Sequence, residues 1–281
     1  MQLYKIDTGF FKLDGGAMFG VVPKSIWQKT NPPDDNNLCT WAMRLLLIED
    51  GKRLILIDAG IGKKQNEKFF SHYFLHGDAT LDNSLAAKGF HRDDISDVFL
   101  THLHFDHCGG AIELNGEGQF RPAFKNATYW SNERHWHWAT QPNAREKASF
   151  LSENILPIQE SGQLKFVERT GDFSSTPLGF DVLFVDGHTD SMMIPHINYK
   201  GKTICFMADL LPSVGHIPLA YVMGYDTRPL ITLEEKGKFL QRAADGKFVL
   251  MLEHDSVNEC CTLQTTEKGI RLEISMRLNE V

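Results

Sequence analysis

The string THLHFDHCGG at residues 101–110 constrains this chain more than any other stretch, because it sets three histidines and an aspartate within six residues directly after the apolar run VFL. Such a run reads as a buried strand, and alternate residues at a strand's end point to the same side. His102 and His104 therefore converge as two nitrogen donors, and the turn that follows re-aims Asp106 and His107 into an adjacent volume. Gly109 and Gly110 let the backbone turn tightly without a Cβ clash. Imidazole and carboxylate together suit zinc, with iron and manganese as alternatives, whereas an all-oxygen set would point to magnesium or calcium. A closed structural zinc site is the competing reading, but such sites usually draw on thiolates, and no CxxC pair occurs in the chain.

One loop holds too few donors for two ions, so other strand ends have to supply the rest. GHT at 187–189, ADLLPS at 208–213 and EHDS at 253–256 place His188, Asp209 and His254 each after a mainly apolar run, where side chains meet at a sheet edge. The intervening sequence alternates strand and helix. MRLLLIEDGKRLILIDAG reads as strands at 43–48 and 53–57 joined at Asp50-Gly51. NEKFFSHYFLH reads as a helix with Phe69, Phe70, Tyr73 and Phe74 on one face, SLAAKGF as a short helix stopped by Gly89, and 127–158 as a helical region broken by Pro142 and Pro157. Strands are expected at 164–168, 180–185, 203–207 and 248–255. A helix over 231–246 is expected to open with a Thr232/Glu235 capping box and stop at Gly246. Residues 14–33 read as a long loop of the kind that serves function. No linker interrupts the alternation, so residues 1–281 are expected to form a single α/β domain of layered sheets.

Composition excludes several classes. The net charge of -7 is spread along the chain with no run of Lys or Arg to follow a phosphate backbone, so nucleic acid is not an expected partner. Five scattered cysteines read as reduced thiols, with Cys108 packed rather than reactive. No apolar stretch reaches the roughly 18 residues needed to span a bilayer, and MQLYKIDTGFF is unlike a secretory signal, so a cytoplasmic location without membrane association is expected.

Taken together, Asp58 in LILIDAG, the THLHFDH loop, GHT, Asp209 in ADLLPS and His254 resemble the metallo-β-lactamase-fold hydrolases. The resemblance implies a four-layer αβ/βα sandwich of mixed sheets with flanking helices, and two divalent metal ions, most simply zinc, at the mouth between the sheets. It implies that His102, His104 and His188 hold one ion, that Asp106, His107 and His254 hold the other, and that Asp209 bridges them. Asp58 would support the ligands from behind. A hydroxide held between the ions would be the nucleophile, with Asp106 orienting it and carrying a proton to the leaving group. Residues up to about 40 would form an N-terminal extension and loop beside the active site, which in relatives joins a dimer contact, so a homodimer is expected.

A bridging Asp209 is similar to the lactonase, phosphotriesterase and thioesterase branches and not to true β-lactamases. DTGFFKLDGGAMFGVVPKSIW resembles the N-acyl homoserine lactonases and the methyl parathion hydrolase-like enzymes. The expected substrate is a small ester, with N-acyl homoserine lactone first, a phosphotriester or aryl ester second and a glyoxalase II-like thioester third. A redox or regulatory metal protein of the same fold is the non-hydrolase alternative. Two departures stand out. Pro212 occupies the position where familiar lactonases carry a substrate-assisting tyrosine, leaving His216, Tyr221 or Tyr225 as replacements, and GHTDSMM lacks a second histidine that is not a ligand in the family. Phe19, Phe105, Trp130, Trp136, Trp138 and Phe150 could line an apolar substrate pocket with His216 and Tyr221, although aromatics at helical spacing also suit a core. His135 and His137 match no ligand position and read as helix-surface residues.

Overall fold

The computed structural model describes residues 1–51 and 53–281. Its first sheet grows from the expected hairpin. Leu38–Asp50 runs antiparallel to Arg53–Ile57, with Leu46 opposite Ile57 and Asp50 opposite Arg53. The first of these strands exceeds the apolar stretch read from the sequence because Gln2–Asp14 pairs along its length, from Gln2 opposite Glu49 to Asp14 opposite Leu38. Asp97–Phe99, Thr128–Ser131 and Leu164–Phe166 then add in parallel to complete six strands. The second sheet has seven strands, in the order Gly269–Met276, Cys260–Thr266, Val249–Met251, Lys202–Phe206, Met192–Tyr199, Asp181–Val185 and Phe173–Ser175. Only the Lys202–Phe206/Val249–Met251 pair in it is parallel.

The strands are apolar on both faces because both faces are covered. Leu46, Ile48, Ile55, Ile57 and Phe99 face Phe184, Ile194, Ile204 and Phe206 of the second sheet. Their neighbours Leu45, Leu47, Leu56, Val98 and Leu100 point the other way, onto Leu81 and Leu85, Trp136, and Ile155 and Ile158 of the helices Leu81–Ala86, Glu133–Thr140 and Ser152–Glu160. Phe239, Leu240 and Ala243 of the helix Pro229–Asp245 cover the second sheet. Helix, sheet, sheet and helix thus make four layers. At about 1.5–3 kcal/mol for each fully buried large aliphatic or aromatic side chain, these layers carry most of the favourable folding free energy.

Several local expectations change. Residues 14–33 are not an open loop: Gly15–Phe19 forms a short helix whose Ala17 amide donates to Asp14 Oδ1 at 2.8 Å, and Lys24–Trp27 forms another. Met18, Phe19 and Trp27 are buried there. The helix expected over NEKFFSHYFLH is confined to Glu67–Phe70, and Phe74 lies at φ 46 and half exposed, because His76 pairs with Phe10 and pulls the chain into extended form. Pro157 sits inside Ser152–Glu160 without ending it. The long helix begins at Pro229, which occupies its first turn, so Thr232 is not its cap. Glu235 instead accepts from the amides of Asp186 and Gly187 at 2.7 and 3.0 Å, tying the helix to the turn that leads to His188. No helix among the described residues is long and apolar enough to cross a membrane.

Candidate metal centre

Four strands, Asp97–Phe99, Asp181–Val185, Lys202–Phe206 and Val249–Met251, end on one edge of the two-sheet interface, and the residues just beyond them converge. His102 Nε2 lies 3.1 Å from His104 Nδ1, which lies 3.2 Å from His188 Nε2. Asp209 Oδ2 stands 3.0 Å from His188 Nε2. Beside this group, His107 Nε2 and His254 Nε2 are 3.1 Å apart, with Asp106 Oδ2 at 3.7 and 3.8 Å from them. Asp209 Oδ1 is 3.0 Å from His254 Nε2, so the aspartate offers one oxygen to each group. All seven side chains expected as ligands are therefore gathered, each no more than 8% exposed.

The nitrogens facing away from the centre decide what the inner ones can do. His188 Nδ1 donates to Asp226 Oδ1 at 2.8 Å, His254 Nδ1 to the Ala42 carbonyl at 2.8 Å, and His107 Nδ1 to Asp58 Oδ2 at 3.1 Å. His102 Nδ1 lies 3.1 Å from Thr101 Oγ1, whose own proton goes to Asp58 Oδ2, and His104 Nε2 faces Glu146 Oε1 at 3.6 Å. With the rings neutral and held this way, the five inward nitrogens turn lone pairs towards one another and towards the Asp209 carboxylate. A tetrahedral ion with Zn–N bonds of about 2.0–2.1 Å spaces its donors about 3.3 Å apart, close to the separations found here. The donor set fits divalent metal ions, and the outward partners fix which nitrogen each ring presents.

Electrostatics agrees. Burial opposes a charge on every ring, yet Asp209 and Asp226 raise His188 to about 10, and Asp209 raises His254 to about 9. Burial, reinforced by His107 and His104, drives His102 well down. The carboxylates thus create a negative potential that draws protons onto some rings, and a bound dication would take their place.

Asp58 lies where it was expected, fully buried behind the loop, accepting from the Thr101 amide and hydroxyl at 2.7 Å each. Three other carboxylates escaped the sequence reading. Glu146 accepts from Thr189 Oγ1 at 2.6 Å, Trp138 Nε1 at 2.7 Å and Asn143 Nδ2 at 2.6 Å; although burial opposes its charge, these bonds and His104 bring its pKa to about 2. Asp226, 1% exposed, holds His188 from a segment without periodicity, and no local pattern announces it. Glu253 lies 3.1 Å from His107 Nδ1 and is pushed up to about 8, chiefly by burial. An acidic residue inside the apolar run FVLMLEHD was the available signal for it.

His135 corrects an expectation. It is fully buried: its Nε2 accepts from the Leu103 amide at 2.9 Å and its Nδ1 donates to the Asp190 carbonyl at 2.6 Å, so it braces the metal loop; His137 alone of the pair is exposed. The proposed pocket residues divide. Phe105 packs on Tyr73 at 4.6 Å between ring centroids, and Phe150 on the His104 ring at 4.8 Å, both beside the centre. Trp138 reaches it through Glu146. Trp136 and Trp130 belong to the core, because the first sheet's two faces claim them. Phe19 is fully buried, stacked on His216 at 4.4 Å; His216 is 1% exposed and donates from Nε2 to the Met18 carbonyl, so neither presents a surface to a substrate. Tyr221 is half-buried, its ring perpendicular to that of Phe19 at 6.3 Å between centroids. Cys108 is buried, its thiol donates to the Leu103 carbonyl, and burial pushes it up to about 12, so it is no nucleophile.

A family model described as the Metallo-beta-lactamase superfamily matches residues 45–247. An N-acyl homoserine lactonase of Bacillus thuringiensis is 28% identical over 198 residues, which make up 67% of this chain and 66% of that protein, just under two thirds of its length. Among solved structures, a probable metal-dependent hydrolase from Staphylococcus aureus superposes with a TM-score of 0.85 at 26% identity, covering 98% of this chain and 96% of that one. AidC, a dizinc quorum-quenching lactonase, gives a TM-score of 0.79 at 20% identity over 99% and 95% of the two chains, a likeness of fold.

Proposed function

Because this chain belongs to the metallo-beta-lactamase superfamily, we propose that the bond it hydrolyses is a small ester, with a lactone of the N-acyl homoserine type as the first substrate. The observation that carries the reading is the pair of donor groups sharing Asp209, with outward hydrogen-bond partners turning the Nε2 atoms of His188 and His254 towards the centre. The name borne by the lactonase relatives supports the choice of ester.

Two divalent ions, with zinc the simplest choice, would be held by His102, His104 and His188 and by Asp106, His107 and His254, and when bound would lower the pKa of a shared water and polarise the ester carbonyl. The chain's own groups do the rest. Asp106 receives no hydrogen bond from any described residue, so it is free to take the attacking water's proton and pass it to the departing oxygen. The substrate-assisting hydroxyl that Pro212 lacks is assigned in this reading to Tyr73 and Tyr225. Burial raises Tyr73 to about 12, Tyr225 is also raised, the Asp106 charge adds to both, and neither hydroxyl is hydrogen-bonded to a described residue. They donate to the substrate's carbonyl side. Phe105 and Leu151 supply an apolar wall for an acyl chain.

An aryl ester or aryl phosphotriester is the second reading, favoured by the Phe69–Tyr73–Phe105 ring cluster beside Asp106. A turnover panel of acyl lactones, aryl esters, phosphotriesters, thioesters and β-lactams, run on metal-quantified protein with and without chelator, tests both. Lactone turnover that is abolished by chelator and by His104→Ala is expected. Fewer than two metals per active chain, or full activity in His104→Ala, would sink the two-ion reading.

A further inference from the structure

A cleft of about 950 Å3 backs onto the metal loop without including any of the seven candidate ligands in its wall. Its floor is the contact between two loops, where Ala59 N donates to the His107 carbonyl and Gly110 N to the Gly60 carbonyl, both at 2.7 Å. Five basic residues and three acidic ones line it. Arg92 is engaged by Asp82 and Glu113, Arg121 by Glu113 and Lys125 by Asp93, so all three acids are spoken for. Lys63 and Lys64 are left without a carboxylate partner among the described residues. In a chain of net charge -7, two cations in one cleft without an ion-pair partner among the described residues do not follow from the overall balance.

Lys64 is the informative one. Its ammonium donates to the Gly109 carbonyl, and burial pushes its pKa down to about 8. An ammonium taken out of water without a counter-charge is costly, and an anion beside it offsets that cost. Phe10, Leu81 and Ile112 line the same cleft, giving it an apolar side as well. We propose that this cleft is a second binding site, for a small organic anion whose carboxylate or phosphate group lies against Lys63 and Lys64 and whose short apolar body lies along Phe10, Leu81 and Ile112. Since Lys64 also holds Gly109, two residues from His107, the bound anion touches the back of the metal loop.

Isothermal titration of the metal-loaded protein with hexanoate, with inorganic phosphate and with hexanol tests the site. Saturable binding of at least one anion is expected, together with a loss of about ten-fold or more in Lys64→Met, because a hydrogen-bonded charge pair is removed. Lys64→Arg, which keeps the charge should Lys64→Met fold poorly, is expected to retain binding, and hexanol is expected to bind far more weakly than hexanoate. The hexanoate and phosphate arms decide which head group the site takes. Unchanged affinity in Lys64→Met would place the anion at the histidines and overturn the proposal. So would equal binding of hexanol, or no saturation by either anion up to about 10 mM.

Discussion

Replacing Gly110 by alanine tests the contact on which the metal loop rests. A Cβ at Gly110 would stand 2.1 Å from the Ala59 carbonyl oxygen, a backbone atom that has no flexible side chain to move aside. Ordinary C···O contact needs about 3.3 Å, so the two loops must separate by about 1.2 Å. The Ala59 N to His107 O and Gly110 N to Gly60 O bonds flank this point at 2.7 Å each, and that separation stretches both beyond bonding range. Two lost bonds at about 1 kcal/mol each, with about 1–3 kcal/mol of overpacking strain, give a loss of about 3–5 kcal/mol. That is a large share of the roughly 5–15 kcal/mol that holds a typical domain folded. Gly116→Ala is the internal control, since nothing lies within 4 Å of its Cβ position. Urea denaturation and metal analysis of both variants provide the assay. Gly116→Ala should stay within about 0.5 kcal/mol of the parent, while Gly110→Ala should lose the stated stability and bind less metal because His107 moves with the loop. If the two variants match in denaturation midpoint and metal content, the close-approach argument is wrong.

Three further outcomes follow from other parts of the molecule. Asp226→Asn removes the carboxylate 2.8 Å from His188 Nδ1 and should weaken metal binding by about 10–100-fold in a chelator competition; unchanged affinity would deny Asp226 its orienting role. His196 is 8% exposed and lowered to about 4, first by burial, so the folded state refuses a proton that the unfolded chain accepts near 6.5. Its stability contribution is complete above pH 6.5 and falls away as pH drops towards 4, by up to about 3 kcal/mol, and His196→Leu should flatten urea midpoints measured across that window. Lys236 is 1% exposed and donates to the Pro218 and Tyr221 carbonyls at 3.1 and 2.7 Å. Lys236→Met should leave those carbonyls unbonded, cost about 1–3 kcal/mol, and speed hydrogen exchange in the 218–225 segment more than elsewhere.

Local patterns carried a great deal of this protein. Ligand density in six residues, alternation at a strand's end and polar residues closing apolar runs all act over a few positions, and they pointed to His102, His104, Asp106, His107, His188, Asp209 and His254, which the fold gathers on one edge. Apolar runs announced buried strands of layered sheets, the resemblance implied four layers, and the structure covers both faces of each sheet to make them. What lay beyond reach was pairing across distance. Asp226 meets His188 from 38 positions away, Glu146 meets Thr189 from 43, and His135 meets Leu103 from 32. None of these pairs leaves a periodic trace, so no local pattern marks Asp226 or Glu146 and none distinguishes the buried His135 from the exposed His137. Phe19 and His216 looked like pocket residues for the same reason: their stacking on each other is a contact between segments almost two hundred residues apart. Sequence alone determined which atoms could bind a metal, because that is a property of side-chain type and short spacing. Only the tertiary structure decided which nitrogen of each ring faces inward and what holds it there, because a hydrogen-bond partner is chosen by three-dimensional proximity and not by position along the chain.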